Sequence, residues 1–145
     1  MIFWAAQNNK LLIGSLKEFV YLTEFKNGII EGEQIPIPQS ETEYEPFALN
    51  FGHSVYVSDS ALYISALGSD EKKGEVFIYP YIDSTNKTDE SPWTNYYTIQ
   101  PDDLLDNSHF GYKIHELDNQ LLVSTFNQSQ IYWYTKNEKN NRFEL

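Results

Sequence analysis

Apolar and polar residues alternate along most of this chain with the period of two that a half-buried strand requires. The alternation is broken at short intervals by Asn, Asp, Ser, Gly and Pro. The runs 1–6, 11–16, 18–25 and 29–37 read as four strands. A second group follows at 53–58, 61–67, 75–82 and 93–100, and a third at 111–117, 120–126 and 130–136, with room after Asn140 for only the start of a fourth strand. Asn8-Asn9, Asp59-Ser60 and Asp118-Asn119 separate the first two runs of each group. They have the chemistry of two-residue hairpin turns, because Asn and Asp tolerate positive φ. Pro36 and Pro38 lack the N–H that a central ladder needs, which places the fourth run at a sheet edge. No heptad and no long amphipathic helical pattern occurs. The pattern therefore predicts an all-β chain with no helix longer than about two turns.

The groups are copies of one another. Phe51-Gly52-His53-Ser54-Val55 recurs 59 residues on as Phe110-Gly111-Tyr112-Lys113-Ile114, and Leu62 to Leu67 recurs at the same offset as Leu121 to Phe126. Leu11 to Leu16 matches Leu62 to Leu67 from 51 residues earlier, and Glu18 to Leu22 is matched with Glu75 to Tyr79. Repetition at this period indicates propeller blades or an array. The expected organisation is three four-stranded antiparallel blades: 1–46, truncated at its start, 47–105, and 106–145, truncated at its end. Because a closed propeller takes four to eight blades, the chain reads as a fragment of a larger one, or as a subunit that completes a ring with other copies.

Composition narrows the function more than the fold. The net charge of −11, with ten Lys and Arg in 145 residues, excludes the clustered basic face that a nucleic-acid backbone needs. There is no cysteine, so neither disulfides nor thiol chemistry enter. The first ten residues carry no signal-peptide pattern, and no apolar run approaches the ~20 residues of a membrane-spanning helix. Glu41, Glu43 and Glu45 read as a solvated acidic connection between the first two blades.

The order Phe-Gly-x-Ser-Val, Leu-x-Ile-Ser-Ala-Leu, Gly-x-Val-x-Ile-Tyr resembles the FG-GAP repeat. That repeat builds the seven-bladed propeller of integrin α subunits and the C-terminal part of glycosylphosphatidylinositol-specific phospholipase D. Phe51-Gly52 and Phe110-Gly111 stand at the Phe-Gly positions. Gly14-Ser15-Leu16, Ser65-Ala66-Leu67 and Ser124-Thr125-Phe126 stand where the family carries Gly-Ala-Pro. Only Gly14 and Ala66 match that triplet, and its Pro is absent throughout. In physical terms the Gly lets one backbone approach the next blade and the Phe fills the gap between sheets. Gly14, Ser65, Ala66 and Ser124 lie where a bulky side chain would collide. Phe51, Gly52, Ala66, Phe110, Gly111 and Gly14 are thus expected to determine the fold and not to form a site. The calcium loop found in many blades of this family needs several convergent carboxylates. The turns here offer one or two, so no calcium or other cofactor is expected.

Catalytic patterns are missing. His53, His109 and His115 lack the partners of a zinc site, Ser54 is not in a nucleophile elbow, and no glycine loop cradles phosphate. Two sequons, at Asn86 and Asn127, are candidate glycosylation sites. The resemblance implies non-catalytic blades of an extracellular or secretory-pathway protein, supporting ligand, matrix or membrane-surface binding. It leaves open an accessory role beside a phospholipase whose catalytic part lies elsewhere. The alternative from another class is a ring-forming intracellular scaffold. On either reading the partners are further blades or other copies of the chain, together with an unidentified protein or membrane-surface ligand.

Overall fold

A computed structural model describes residues 2–15, 19–37, 50–81 and 92–145. Strands take 58% of it and helical turns 5%, so the chain is all-β. The first sheet contains β1 (Ile2–Gln7), β2 (Lys10–Ser15), β3 (Phe19–Lys26) and β4 (Ile29–Ile35). The second contains β5 (Phe51–Val57), β6 (Ala61–Ala66), β7 (Glu75–Pro80) and β8 (Tyr97–Ile99). The third contains β9 (Lys113–Leu117), β10 (Gln120–Ser124), β11 (Ile131–Asn137) and β12 (Arg142–Glu144). Each is an up-and-down antiparallel meander in chain order. The three groups seen in the alternation are thus three sheets, and they do not close on one another.

Several details differ from the sequence reading. The last residues already pair as a short fourth strand of three residues. β12 pairs with β11, and Phe143 on it is buried against the middle sheet. The expected strand 93–100 is split, because Pro92–Thr94 form a 3-10 turn and only Tyr97–Ile99 pair with β7. The hairpin turns are not all alike. Asn8 and Asp118 take positive φ in two-residue turns, as Asn and Asp tolerate. Asp59 does not, because Val57 pairs with Leu62 and the Ser58 N–H and hydroxyl both reach Ala61 O. The acidic residues Glu41, Glu43 and Glu45, the inter-blade boundary at 46–47 and the sequon at Asn86 lie outside the described residues.

The middle sheet carries the packing. All six residues of β6 are buried, which is why its sequence, Ala-Leu-Tyr-Ile-Ser-Ala, loses the polar half of the alternation. Leu62, Ile64, Phe77 and Tyr79 face the first sheet and meet Leu12, Val20, Leu22 and Ile35. Tyr63, Val76, Ile78 and Ile99 face the third and meet Phe110, Ile114, Leu121, Val123 and Tyr134. Each such buried side chain stabilises by about 1.5–3 kcal/mol relative to exposure.

The two junctions are built alike. Phe51 lies in the first core and meets Phe77 edge-on at 5.5 Å and 80°; Phe110 lies in the second and meets Tyr132 at 5.5 Å and 80°. After each Phe, a glycine at φ +91 or +95 presses against the preceding sheet. A Cβ on Gly52 would lie 2.7 Å from Val20 Cγ2, and a Cβ on Gly14, opposite it, 2.1 Å from Gly52 O. On Gly111 it would lie 2.8 Å from Ser65 Cβ and 3.1 Å from Val76 Cγ2. Gly14 and Ser65 therefore occupy one structural position, as the sequence offset of 51 requires. Val20 and Val76 occupy another, so the third strand of the first sheet aligns one residue away from the sequence match of Val20 with Phe77. Within the second and third sheets the small residue also ties down the first strand. The Ser54 N–H donates to Ser65 Oγ (2.8 Å) and the Lys113 N–H to Ser124 Oγ (3.2 Å).

A second clasp joins the middle and third sheets. The charged loop after β6 contains a single helical turn, α1 (Ser69–Lys72), in which Asp70, Glu71 and Lys72 all take left-handed φ values of 46, 54 and 64. The carbonyls of Glu71, Lys72 and Lys73 accept the N–H groups of Asn107, His109 and Phe110 at 3.2, 3.0 and 2.7 Å. Left-handed backbone costs roughly 1–2 kcal/mol per residue, and these bonds offset part of it. Gly74 closes the clasp, since a Cβ there would sit 2.3 Å from Phe110 O.

Gly52→Ala and Gly111→Ala combine left-handed strain with overpacking and should each lower stability by roughly 2–4 kcal/mol. Gly28 also has positive φ (+77), but a Cβ there meets nothing within 4 Å. Gly28→Ala should thus cost only the strain, roughly 1–2 kcal/mol. Urea unfolding of the three variants checks the order. Equal losses at all three would mean that the glycines matter only for backbone conformation.

Candidate functional site

Beside the two Phe-Gly junctions the structure gathers rings from all three sheets. Phe3 on β1 lies 4.6 Å from His53 on β5, measured between ring centroids. His53 lies 5.5 Å from Tyr112, just before β9, and Tyr112 lies 4.8 Å from Phe126, in the loop after β10. His109 meets the same Phe126 edge-on at 6.3 Å. Asn50, His53, Leu67, His109, Tyr112 and Phe126 line a cleft of about 390 Å³. Local structure explains the placement. His53 and Tyr112 are the residues directly after Gly52 and Gly111, and His109 adopts φ +53 in the approach to Phe110.

The two imidazoles of this cleft each keep one nitrogen as a donor. Asn127 Nδ2 lies 3.3 Å from His109 Nδ1 and 2.6 Å from the carbonyl of Asn107, to which it donates. Since the Asn127 amide nitrogen can only donate, His109 Nδ1 accepts and the proton of the neutral ring sits on Nε2. His53 Nδ1 is buried and has no hydrogen-bond partner among the described residues. Orphaned buried N–H groups are rarer than orphaned acceptors, which favours the tautomer of His53 with its proton on Nε2. Lys113 Nζ lies over the Tyr112 ring at 5.8 Å. Burial lowers the pKa of His53 below its ordinary 6.5; the Lys113 ammonium lowers it further, as does His109 when that ring is protonated.

At the opposite ends of the strands Glu116 gathers hydroxyls from the middle sheet. The Glu116 carboxylate accepts from the hydroxyls of Tyr63 and Ser60, and its carbonyl accepts from Tyr56. The burial that accompanies these bonds raises the pKa of Tyr63, and Glu116 adds to the rise. This network joins two sheets and offers a ligand nothing. A separate depression of about 370 Å³ on the first sheet is lined by Leu22, Glu24, Glu31, Gly32 and Glu33. One of its carboxylates, Glu33, accepts the Trp93 indole N–H at 3.2 Å.

The residues singled out in the sequence fall into two sets. Phe51, Gly52, Phe110, Gly111 and Gly14 lie at the sheet junctions, and Ala66 is buried in the first core. The histidines do not converge as one group. His53 and His109 share the cleft, whereas His115 lies on β9, 5.3 Å from Tyr56. Among the described residues no group of three or more His, Asp or Glu side chains is arranged to hold a metal ion. Asn127 is exposed, but the amide nitrogen that a glycan would occupy is engaged with Asn107 and His109, so glycosylation there would disturb the cleft. The cleft itself was not read from the sequence. Its one signal was that His53 and His109 each sit one residue from a Phe-Gly pair. Among the described residues no helix is long and apolar enough to cross a membrane. No protein-family model matches the chain, and no curated protein matches it.

The lowered pKa of His53 has a definite sign in stability. Between the folded pKa and the unfolded value near 6.5 the unfolded chain binds more protons. The stability contributed by keeping the ring neutral is therefore present above ~6.5 and is lost as pH falls through the folded pKa. The melting temperature of the native chain minus that of His53→Gln should fall when the pH is lowered from 7.5 to 5. Titrating carboxylates largely cancel in this difference, and a flat difference would show that His53 is not held neutral by its surroundings.

Proposed function

We propose that the chain is a run of β-propeller blades of the FG-GAP type, acting as a non-catalytic binding scaffold in an extracellular protein that resembles integrin α subunits or the C-terminal part of a phospholipase D. The observation that carries this reading is the repeated junction. Phe-Gly at the start of one sheet docks on a small residue and a valine of the preceding sheet, once as Gly52 on Gly14 and Val20, and once as Gly111 on Ser65 and Val76. Repeating one rigid relation between successive sheets is how a propeller is made.

The outer faces of the end sheets support the same reading. Ile2, Trp4, Phe25 and Ile30 are exposed on the far side of the first sheet, with Trp4 at 70%. Leu117, Ile131 and Trp133 are exposed on the far side of the third, with Trp133 at 57%. The middle sheet has equivalent faces, and both are covered. Further blades, from the same protein or from other copies of this chain, are the partners that such faces fit.

The chain alone should consequently self-associate, despite its acidic charge, which is screened over ~10 Å at 0.1 M salt. Sedimentation should show species larger than 16.9 kDa, and Trp4→Glu combined with Trp133→Glu should return the chain to a folded monomer. A native chain that sediments as a monodisperse, cooperatively melting monomer would overturn the proposed partner surfaces.

A further inference from the structure

We propose that the cleft lined by Asn50, His53, Leu67, His109, Tyr112 and Phe126 binds a carboxylate carried on an aromatic body. This goes beyond the scaffold reading and does not depend on it, because it rests on the chemistry of one cleft. Three features select the ligand. The first is shape: a cleft of about 390 Å³ takes a group of roughly ten non-hydrogen atoms, and its walls are the rings of Tyr112 and Phe126 with Leu67 beside them. Planar aromatic groups stack on such walls with offset or tilted geometry. The second is the polarity of the hydrogen-bonding groups. Asn127 spends its amide donors on Asn107 and His109, which leaves the Nε2–H of His109 as a donor. His53, whose Nδ1 has no partner, has its own Nε2–H.

The third feature is charge. Lys113 reaches over Tyr112 from β9 and His109 approaches from the loop before it; on the β1 side His53 meets the uncharged ring of Phe3. Among the described residues the Lys113 ammonium, and His109 when protonated, disfavour a further cation at His53. An anion entering this site meets the N–H groups of the two histidines, with the Lys113 ammonium beside the Tyr112 wall, and hydrogen bonds to an ionised acceptor are about twice as strong as neutral ones. It also offsets the repulsion that Lys113 adds to the burial of His53. A cationic ligand would meet the reverse.

The test is titration calorimetry of the purified full chain with phenylacetate, together with imidazole NMR of its three histidines. Phenylacetate should bind saturably with Kd on the order of 1 mM, as suits a ligand of that size, and should move the His53 and His109 resonances but not those of His115. Phenylacetamide and acetate, which lack the charge and the ring respectively, should each bind at least about tenfold more weakly. Lys113→Gln, and His109→Asn, chosen because Asn tolerates the left-handed backbone at that position, should each weaken phenylacetate several-fold with the melting temperature preserved. An acetylated Gly-Gly-Phe peptide with a free C-terminus distinguishes two sources of the same chemistry. Binding tenfold tighter than phenylacetate assigns the site to a polypeptide C-terminus, and equal or weaker binding assigns it to a free small carboxylate. The proposal is overturned if phenylacetate does not bind, if phenylacetamide or acetate binds equally well, or if both variants leave its affinity unchanged.

Discussion

The structure depends on how closely two backbones approach at each sheet junction. Gly52 and Gly14 leave no room for a methyl group between them, and Gly111 has little more against Ser65. Sheets packed through ordinary side chains stand about 10 Å apart. Here one end of the first strand is drawn in until main chain meets main chain or the shortest of side chains, which tilts each sheet on its predecessor at one fixed place. The aromatic rings of Phe51 and Phe110 then fill the wedge that opens beyond that pivot. Each junction is thus a hinge point without freedom: the glycine sets the distance and the phenylalanine prevents collapse around it.

This arrangement explains why the middle sheet is so apolar. It receives a Phe-Gly from its own first strand on one face and from the next sheet on the other, so both sides of β6 and β7 are taken out of water. The cost of burying backbone polar groups is met by strand pairing and, at the irregularity between Phe51 and Val55, by the Ser65 hydroxyl, which accepts the Ser54 N–H. Side-chain hydroxyls are less uniformly satisfied: Tyr63 donates to Glu116, while Tyr79 and Tyr134, which occupy matching positions opposite Leu62 and Leu121, keep buried hydroxyls without partners among the described residues. Their burial holds both phenols protonated far above neutral pH. The area of the tyrosine rings, not their hydroxyls, is what these positions use.

Much of the fold was legible in the sequence because it is written in short-range signals. Period-two alternation and the Asn and Asp turns located the strands to within two or three residues in most cases, and the recurrence of Phe-Gly divided them into sheets. What failed did so for specific physical reasons. Val20 was matched to Phe77 because the two stretches look alike in composition. The side that a strand residue faces, however, is fixed by counting from the pairing register, and the connection after β2 differs in length from the one after β6. The turn at Asp59 resembled its counterparts in composition, but Ser58 supplied a hydroxyl that competes for the same backbone groups. The left-handed turn after β6 carries no glycine at Asp70, Glu71 or Lys72, so nothing local announced it; it is held by N–H groups some 36 residues further along the chain. The ring-lined cleft combines residues 3, 53, 109, 112 and 126, a set that becomes adjacent only through tertiary packing.

The junction and the cleft are nevertheless one feature seen from two sides. His53 and Tyr112 each follow the glycine of a Phe-Gly pair, so the backbone path that brings the glycine against the preceding sheet also fixes where the next side chain emerges. With the pivots held at constant spacing, these side chains fall in a row along the first strands, and Phe3 on β1 joins it from the first sheet. A repeat that needs Phe and Gly for the junction itself leaves the third position outside the two cores, where its ring packs against its neighbours in the row. That position is then available for chemistry, and in this chain it holds an imidazole in one copy and a phenol in the other. A scaffold assembled by repetition in this way generates a lane of unconstrained side chains at no cost to its core, and binding specificity can change there, residue by residue, while the Phe-Gly junctions stay as they are.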